Sequence, residues 1–220
     1  MSFTVKNEDK IGTTREYPPL RKVVATNIAG CQRLKILSLQ RPVRLNSVFL
    51  FLVVALQTAL RKVGDCVIRR CDESDLAAVI DINMVALPEH YSDYFFESIL
   101  RELPEAFIVA ELDGKVVGYI MCKIEFGFSN FRKLGFVKKG HVVSVAVLEE
   151  HRGKGLGKAL MLEGINGVMH KKSDEIYLEV RVSNTGAIKM YERLAFVIKS
   201  RLRSYYRDGE DAYLMALELS

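Results

Sequence analysis

Residues 141–160 read HVVSVAVLEEHRGKGLGKAL. The first eight, His141 to Leu148, are β-branched and apolar, the composition of a buried strand. Further on the period changes. Leu156, Leu160, Ile165 and Val168 are spaced roughly as one buried helix face. Between strand and helix lie a short acidic turn and three glycines among basic residues. Glycine lets backbone N–H groups approach a ligand closely, and successive N–H groups in such a turn form a concave anion site. The helix start adds unpaired N–H groups and a positive dipole end. A plain helix-capping turn would use the same residues. Two well-known phosphate cradles are excluded. Ala159 follows Lys158, so there is no G-x-x-x-x-G-K-[ST], and Leu160 stands where G-x-G-x-x-G needs its third glycine. What remains is Arg152-x-x-Gly155-x-Gly157, after a strand and opening a helix.

Regular structure extends outward on both sides. Upstream, CVIRRC (66–71) predicts a strand, and residues 72–87 predict a helix that Asp72 or Ser74 can cap and Pro88 stops. Its apolar positions are Leu76, Val79, Ile80 and Met84. A polar-aromatic loop and a second helix follow. Asp113-Gly114 then joins two strands, a strong hairpin signal. Residues 127–140, rich in Gly and Lys, predict a loop. Downstream, EIYLEVRV (175–182) predicts a strand, SNTGAIKMYERLAF (183–196) a capped helix leading into a strand, and the chain ends in two strands around Asp208-Gly209. The order is β-α-α-β-β-β-α-β-α-β-β, one α/β domain of about 155 residues with a mixed, mostly antiparallel sheet flanked by helices.

Composition bounds the function. The 220 residues carry a net charge of +5. Residues 1–65 hold eleven Lys/Arg against four Asp/Glu, whereas 66–220 hold 21 against 23. The basic excess therefore belongs to an N-terminal extension, and the rest has no nucleic-acid signature, so DNA is not expected as a partner. The four cysteines, Cys31, Cys66, Cys71 and Cys122, form no C-x-x-C, which argues against a zinc finger and for a reducing compartment. The apolar run Val48–Leu60 has 13 residues, short of the about 20 that span a membrane. Two units are expected: a basic extension over 1–65 with no recognised domain, and a domain over 66–220. The charge step at Asp65 would also arise from a natural start near Val63.

With these segments placed, the chain resembles the GNAT superfamily of N-acetyltransferases. KGHVVSVAVLEEHRGKGLG, IYLEVRVSN and YYRDGEDAYLM look like the archaeal, RimI-like protein N-terminal acetyltransferases. The resemblance covers 66–220. It implies that acetyl-CoA is the cosubstrate, with its pyrophosphate on the turn formed by Arg152, Gly153, Lys154, Gly155, Leu156, Gly157 and Lys158. Val145, Ala146 and Val147 would lie along the pantetheine, the Val145 N–H facing the acetyl carbonyl as an oxyanion-type donor. Asn184 would touch the cofactor, and Tyr191 would stand near the sulfur as a general acid. Ala195 departs from the Gly or Asn usual after YERL, which touches turn geometry and not chemistry.

The chemistry requires a neutral amine. A free α-amino group has a pKa of about 8, against about 10.4 for lysine, so it needs only modest help from a base. By resemblance Glu179 and His141 suit that role, Glu179 ahead of His141. No metal is required, although His141 and Glu179 could trap a zinc ion. Glu89 and Tyr91, after the first helix, and Tyr205 and Tyr206, before the last strand, would shape the peptide entrance. The expected activity is acetylation of protein N-termini of the Ser, Ala, Thr or Met type, by direct attack in a ternary complex, in the cytoplasm. The competing readings are a GNAT acting on a lysine, a ribosomal protein or a small amine, and a catalytically dead CoA-binding module. The basic extension adds a ribosome contact as a further expectation.

Overall fold

A computed structural model describes residues 62–88 and 90–219. Residues 1–61, which include the run Val48–Leu60 and Cys31, lie outside the described residues, as do Glu89 and Ser220.

Among the described residues eight strands form one sheet in the order β1-β2-β3-β4-β5-β6-β8-β7. They are β1 (Lys62–Val63), β2 (Cys66–Arg70), β3 (Phe107–Leu112), β4 (Lys115–Phe128), β5 (Phe136–Val147), β6 (Glu175–Arg181), β7 (Val197–Leu202) and β8 (Ala212–Glu218). Four α-helices join them: α1 (Leu76–Ala86), α2 (Asp93–Glu102), α3 (Leu156–His170) and α4 (Thr185–Arg193). The pairing is antiparallel except between β5 and β6. The expected element order therefore stands, with Lys62 and Val63 added to the sheet by pairing with Val67 and Cys66.

Each expected signal has a local cause. Asp113 and Gly114 both take positive φ, as the tight turn between β3 and β4 requires. Asp72 accepts the N–H of Ser74, while Asp75 reaches back to the Asp72 N–H, a capping box that starts a short 3-10 turn ahead of α1. Arg69 locks this corner, its guanidinium 2.6 Å from Asp75 and 2.7 Å from Glu111. The α3 face expected from spacing is buried throughout: Leu156, Leu160, Ile165 and Val168 are each 1% exposed or less. The core lies on both faces of the sheet. One cluster packs under α3 around Ile120, Leu160 and Ile165, the other under α1 and α2 around Val79, Phe96 and Tyr119. Cys66, Cys71 and Cys122 are buried free thiols.

Two expectations are corrected. Residues 127–140 are not a loop: β4 runs to Phe128 and β5 begins at Phe136, leaving 129–135 as the connection. The hairpin is held by the Phe128–Phe136 ring pair, centroids 5.9 Å apart, and by Glu175, which accepts from Ser129 Oγ and from both nitrogens of Asn130. In α1 the inward face is Val79, Ile82 and Asn83, while Met84 is 52% exposed. Most α1 positions are apolar, so spacing alone did not fix which side faced the sheet.

Two departures from regular pairing shape the centre. Met121 faces Ser144 but Cys122 faces Val142, so Val143 is a bulge in β5. β5 and β6 pair only at Lys139–Glu175, Gly140–Ile176 and His141–Tyr177, and then diverge. A buried polar chain backs the bulge: Asn83 Nδ2 donates to the Tyr119 hydroxyl at 2.9 Å, which lies 2.7 Å from Ser144 Oγ.

Candidate active site

The divergence of β5 and β6 opens the sheet at its middle. Leu148 N–H donates to Val117 O, and Val147 faces Gly118. Antiparallel pairs alternate between hydrogen-bonded and non-hydrogen-bonded, so Val147–Gly118 and Val145–Ile120 are of the second kind. The backbone groups of Val145 and Val147 thus turn away from β4, into the gap. Arg152 supports this, because its Nε donates to Val147 O at 2.9 Å.

On one side of the gap is a cavity of about 800 Å³, lined by Val145, Ala146, Val147, Arg152, Gly153, Gly155, Leu156, Gly157, Lys158, Asn184 and Tyr191. Of the cofactor residues expected from sequence, only Lys154 does not line it. Sequence reasoning passed over His151, Met190 and Arg193, which also line it. Gly155, the residue before α3, has φ +86 and makes no side-chain cap. The first helical bond runs from Ala159 N–H to Gly155 O, so the N–H groups of Leu156, Gly157 and Lys158 precede the helix ladder and face outward. This uncapped helix start, with Lys158 and Arg152 beside it, fits a pyrophosphate.

On the other side is a cavity of about 460 Å³, lined among others by Leu87, Pro88, Tyr91, His141, Glu179, Arg181, Tyr205, Tyr206 and Arg207. Val145, Asn184 and Tyr191 line both cavities, together with Ala86 and Leu87, so the two meet at the gap. Tyr91 donates to Val143 O at 3.4 Å and stacks on Phe95. The rings of Tyr205 and Tyr206 meet edge-on, centroids 5.1 Å apart. Glu89 lies outside the described residues.

His141 and Glu179 stand where the strands part, on neighbouring strands. His141 Nε2 is 2.8 Å from Glu179 Oε2, and both side chains are largely buried. His141 stacks flat on Tyr177, centroids 4.5 Å apart, planes within 4°. Tyr177 donates to Glu125, and Lys139 Nζ lies 4.4 Å above its ring. Burial and the Glu125 bond push the Tyr177 phenol far up. Burial would also raise Glu125, but its bonds to Tyr177 and Lys123 hold it below the usual carboxylate range. The Tyr177 ring is thus fixed and protonated, and it sets the plane of His141. Tyr177 and Arg181 were missed from the sequence, yet strand alternation puts both on the Glu179 face, since 175, 177, 179 and 181 alternate with Ile176, Leu178 and Val180.

Tyr191 is 6% exposed, and burial pushes its phenol up to about 12. Asn184 Oδ1 caps α4 by accepting from Ala187 N–H. Asp208 and Glu210 are both held below the usual carboxylate range. The Glu210 N–H acts on Asp208 and Ser183 on Glu210, each ahead of the Arg181 guanidinium. Among the described residues no group of three or more His, Cys, Asp or Glu gathers as a metal cage, and no helix is long and apolar enough to cross a membrane.

Comparison with known proteins agrees with this geometry. Residues 76–196 match the acetyltransferase (GNAT) family. An N-alpha-acetyltransferase of Sulfurisphaera tokodaii is 53% identical over 154 residues, covering 69% of this chain and 92% of the relative. The crystal structure of a NatC complex bound to Gag peptide and CoA contains a chain with TM-score 0.64 and 27% identity, covering 71% of this chain and 99% of that one. The Ard1 structure from Thermoplasma volcanium gives a TM-score of 0.61 at 30% identity, covering 71% of this chain and 99% of that one. A strand with a bulge, a sheet parted beside it and an uncapped glycine-led helix start are accordingly found in a chain that belongs to the GNAT family of acetyltransferases.

Proposed function

We propose that the protein is an acetyl-CoA-dependent N-α-acetyltransferase that acts on the free α-amino group of protein N-termini. The observation that carries this reading is the His141–Glu179 pair, 2.8 Å apart, in the cavity that meets the glycine-lined one at Val145 and Tyr191. The relative from S. tokodaii bears the same activity in its name.

Acetyl-CoA, when bound, supplies the acyl thioester. The chain's own residues divide the remaining work. The helix start at Gly155–Lys158, with Arg152, holds the phosphates. The outward N–H of Val145 would meet the acetyl oxygen, where negative charge develops. Asn184, its Oδ1 committed to α4, offers its amide nitrogen to the cofactor. A carboxylate only accepts, so His141 Nε2 carries a proton toward Glu179. Nδ1 of His141 is buried. Glu179 is therefore the base that faces the incoming amine, and His141 orients it and shares the proton. Tyr191, with a pKa near 12, stays protonated at the sulfur. A thiol of pKa about 8.5 is the stronger acid, so Tyr191 steadies the departing sulfur by a hydrogen bond instead of giving up its proton outright. Tyr91, Tyr205 and Tyr206 shape the entrance for an extended N-terminus. The His141–Glu179 pair offers two donors to an adventitious zinc ion, and no step uses one.

The domain boundary near residue 65, a cytoplasmic location and a ribosomal contact through the basic residues of 1–65 belong to this reading as well. Deleting 1–61 and pelleting ribosomes at low salt tests the last; unchanged pelleting removes it. The activity itself is tested by acetyl-CoA turnover on peptides beginning with Ser, Ala, Met-Leu and Met-Glu, beside an N-terminally blocked peptide with an internal lysine. Turnover of the free N-termini alone is expected. Turnover of the blocked lysine peptide alone would refute the reading.

A further inference from the structure

Arg181 lies on β6 two residues beyond Glu179, hence on the same face, and lines the cavity that holds His141 and Glu179. Its Nη1 is 2.6 Å from Asp208 Oδ2 and 2.8 Å from Glu210 Oε2. Its Cζ sits 3.9 Å from the centre of the Tyr206 ring. Both carboxylates and both tyrosines belong to the β7–β8 connection, residues 203–211. Glu210 adds two links, accepting from Ser183 N–H at 3.0 Å through its side chain and from Tyr206 N–H at 3.1 Å through its backbone. One guanidinium thus joins the strand that carries the base to the loop that carries the tyrosine wall. β7, which leads into this loop, is the outer strand of the sheet and is largely exposed, so it offers the loop little packing.

We propose that Arg181 is a positioning residue for the acceptor: by gripping Asp208, Glu210 and the face of Tyr206 it fixes the Tyr205–Tyr206 wall at a set distance from Glu179. The inference rests on the proposed function, in which the His141–Glu179 cavity takes the acceptor amine. Arginine suits the task because its guanidinium meets both carboxylates through Nη1 while its plane lies on a ring; lysine has no such plane. The two carboxylates also offset the arginine charge, so a partly cationic N-terminus can enter beside it.

The test compares wild type with Arg181→Met, Arg181→Lys and the pair Asp208→Asn with Glu210→Gln, using acetyl-CoA and the best peptide of the panel. Peptide KM is expected to rise about ten-fold in all three, the scale of one lost charged contact. KM for acetyl-CoA should hold, and kcat should fall by less than peptide KM rises. Amide exchange should quicken over 203–211 and not in β5 or α3. Lysine is not expected to restore peptide KM. Unmoved peptide KM, or an equal rise in both KM values together with a lowered Tm, overturns the proposal. A wild type that acetylates only the lysine peptide defeats the N-terminal reading separately. In that event the exchange comparison still decides the clamp: unchanged exchange over 203–211 overturns it, and faster exchange there upholds it.

Discussion

His141 Nε2 on the last rung that β5 and β6 share and Glu179 Oε2, two residues beyond that rung on β6, are 2.8 Å apart. The pair shares one proton position, so its members act as a unit. Glu179→Gln should lower kcat about ten-fold or more, the usual worth of a positioned base. Adding His141→Gln should cost much less than a second independent loss. Steady-state kinetics of the two single variants and the double variant check this; full additivity would assign the residues separate tasks.

Tyr191 bears on the alkaline side of the pH profile. Its phenol, pushed up to about 12, remains protonated across the working range. Tyr191→Phe should lower kcat about ten-fold through the lost hydrogen bond to sulfur. The shape of the kcat profile between pH 7 and 10 should not change. A limb that disappears in the variant would assign that ionisation to Tyr191.

Ala195 ends α4 in the left-handed region, with φ +67. Its N–H bonds to Glu192 O, and the next N–H, of Phe196, reaches Tyr191 O, which closes the helix in a Schellman motif. A Cβ there costs about 1 kcal/mol. Ala195→Gly should therefore raise Tm by about 3 °C in a domain of this size. Calorimetry on the variant checks it, and an unchanged or lower Tm would show that the strain is absorbed elsewhere.

Asp75 links stability to acid. Burial favours its neutral form, but the Arg69 guanidinium and the Asp72 N–H outweigh this and depress its pKa. A depressed carboxyl stabilises fully above its unfolded pKa of about 3.9, and the contribution is lost as pH falls through the lower folded value. Arg69→Met should cost about 2 kcal/mol at neutral pH, less than a fully buried pair because Arg69 is 32% exposed. It should also flatten the acid limb below pH 4. Urea melts at pH 3 and pH 7 check both; equal losses at the two pH values would exclude the pair as the source.

The parts legible in sequence are those with local causes. Asp113-Gly114, the Asp72 cap and the glycines of 153–157 need only their own backbone geometry to be read. The face of α3 was readable because polar residues break its apolar spacing, whereas α1 is apolar nearly all round and Met84 was misassigned. The strands within 127–140 were hidden because the Phe128–Phe136 ring pair forms only once the strands pair, and Glu175 holds their connection from far along the chain. Tyr177 and Arg181 escaped for the same reason: each acts on a partner dozens of residues away, Glu125 and Asp208. His141 and Glu179 were named by resemblance. Their contact needed the parallel register of β5 and β6.

The three-rung contact between β5 and β6 has a consequence for what can enter. A strand edge left open on the outside of a protein invites any other chain to zip onto it. Here the open edge at Val145 and Val147 faces the glycine-lined cavity, which Tyr191 also lines. In the proposed reading a pantetheine arm takes the edge from one side and a chain end approaches it from the other. A terminus that hangs free of its own fold is the expected acceptor in that reading, and one packed against its own domain is not.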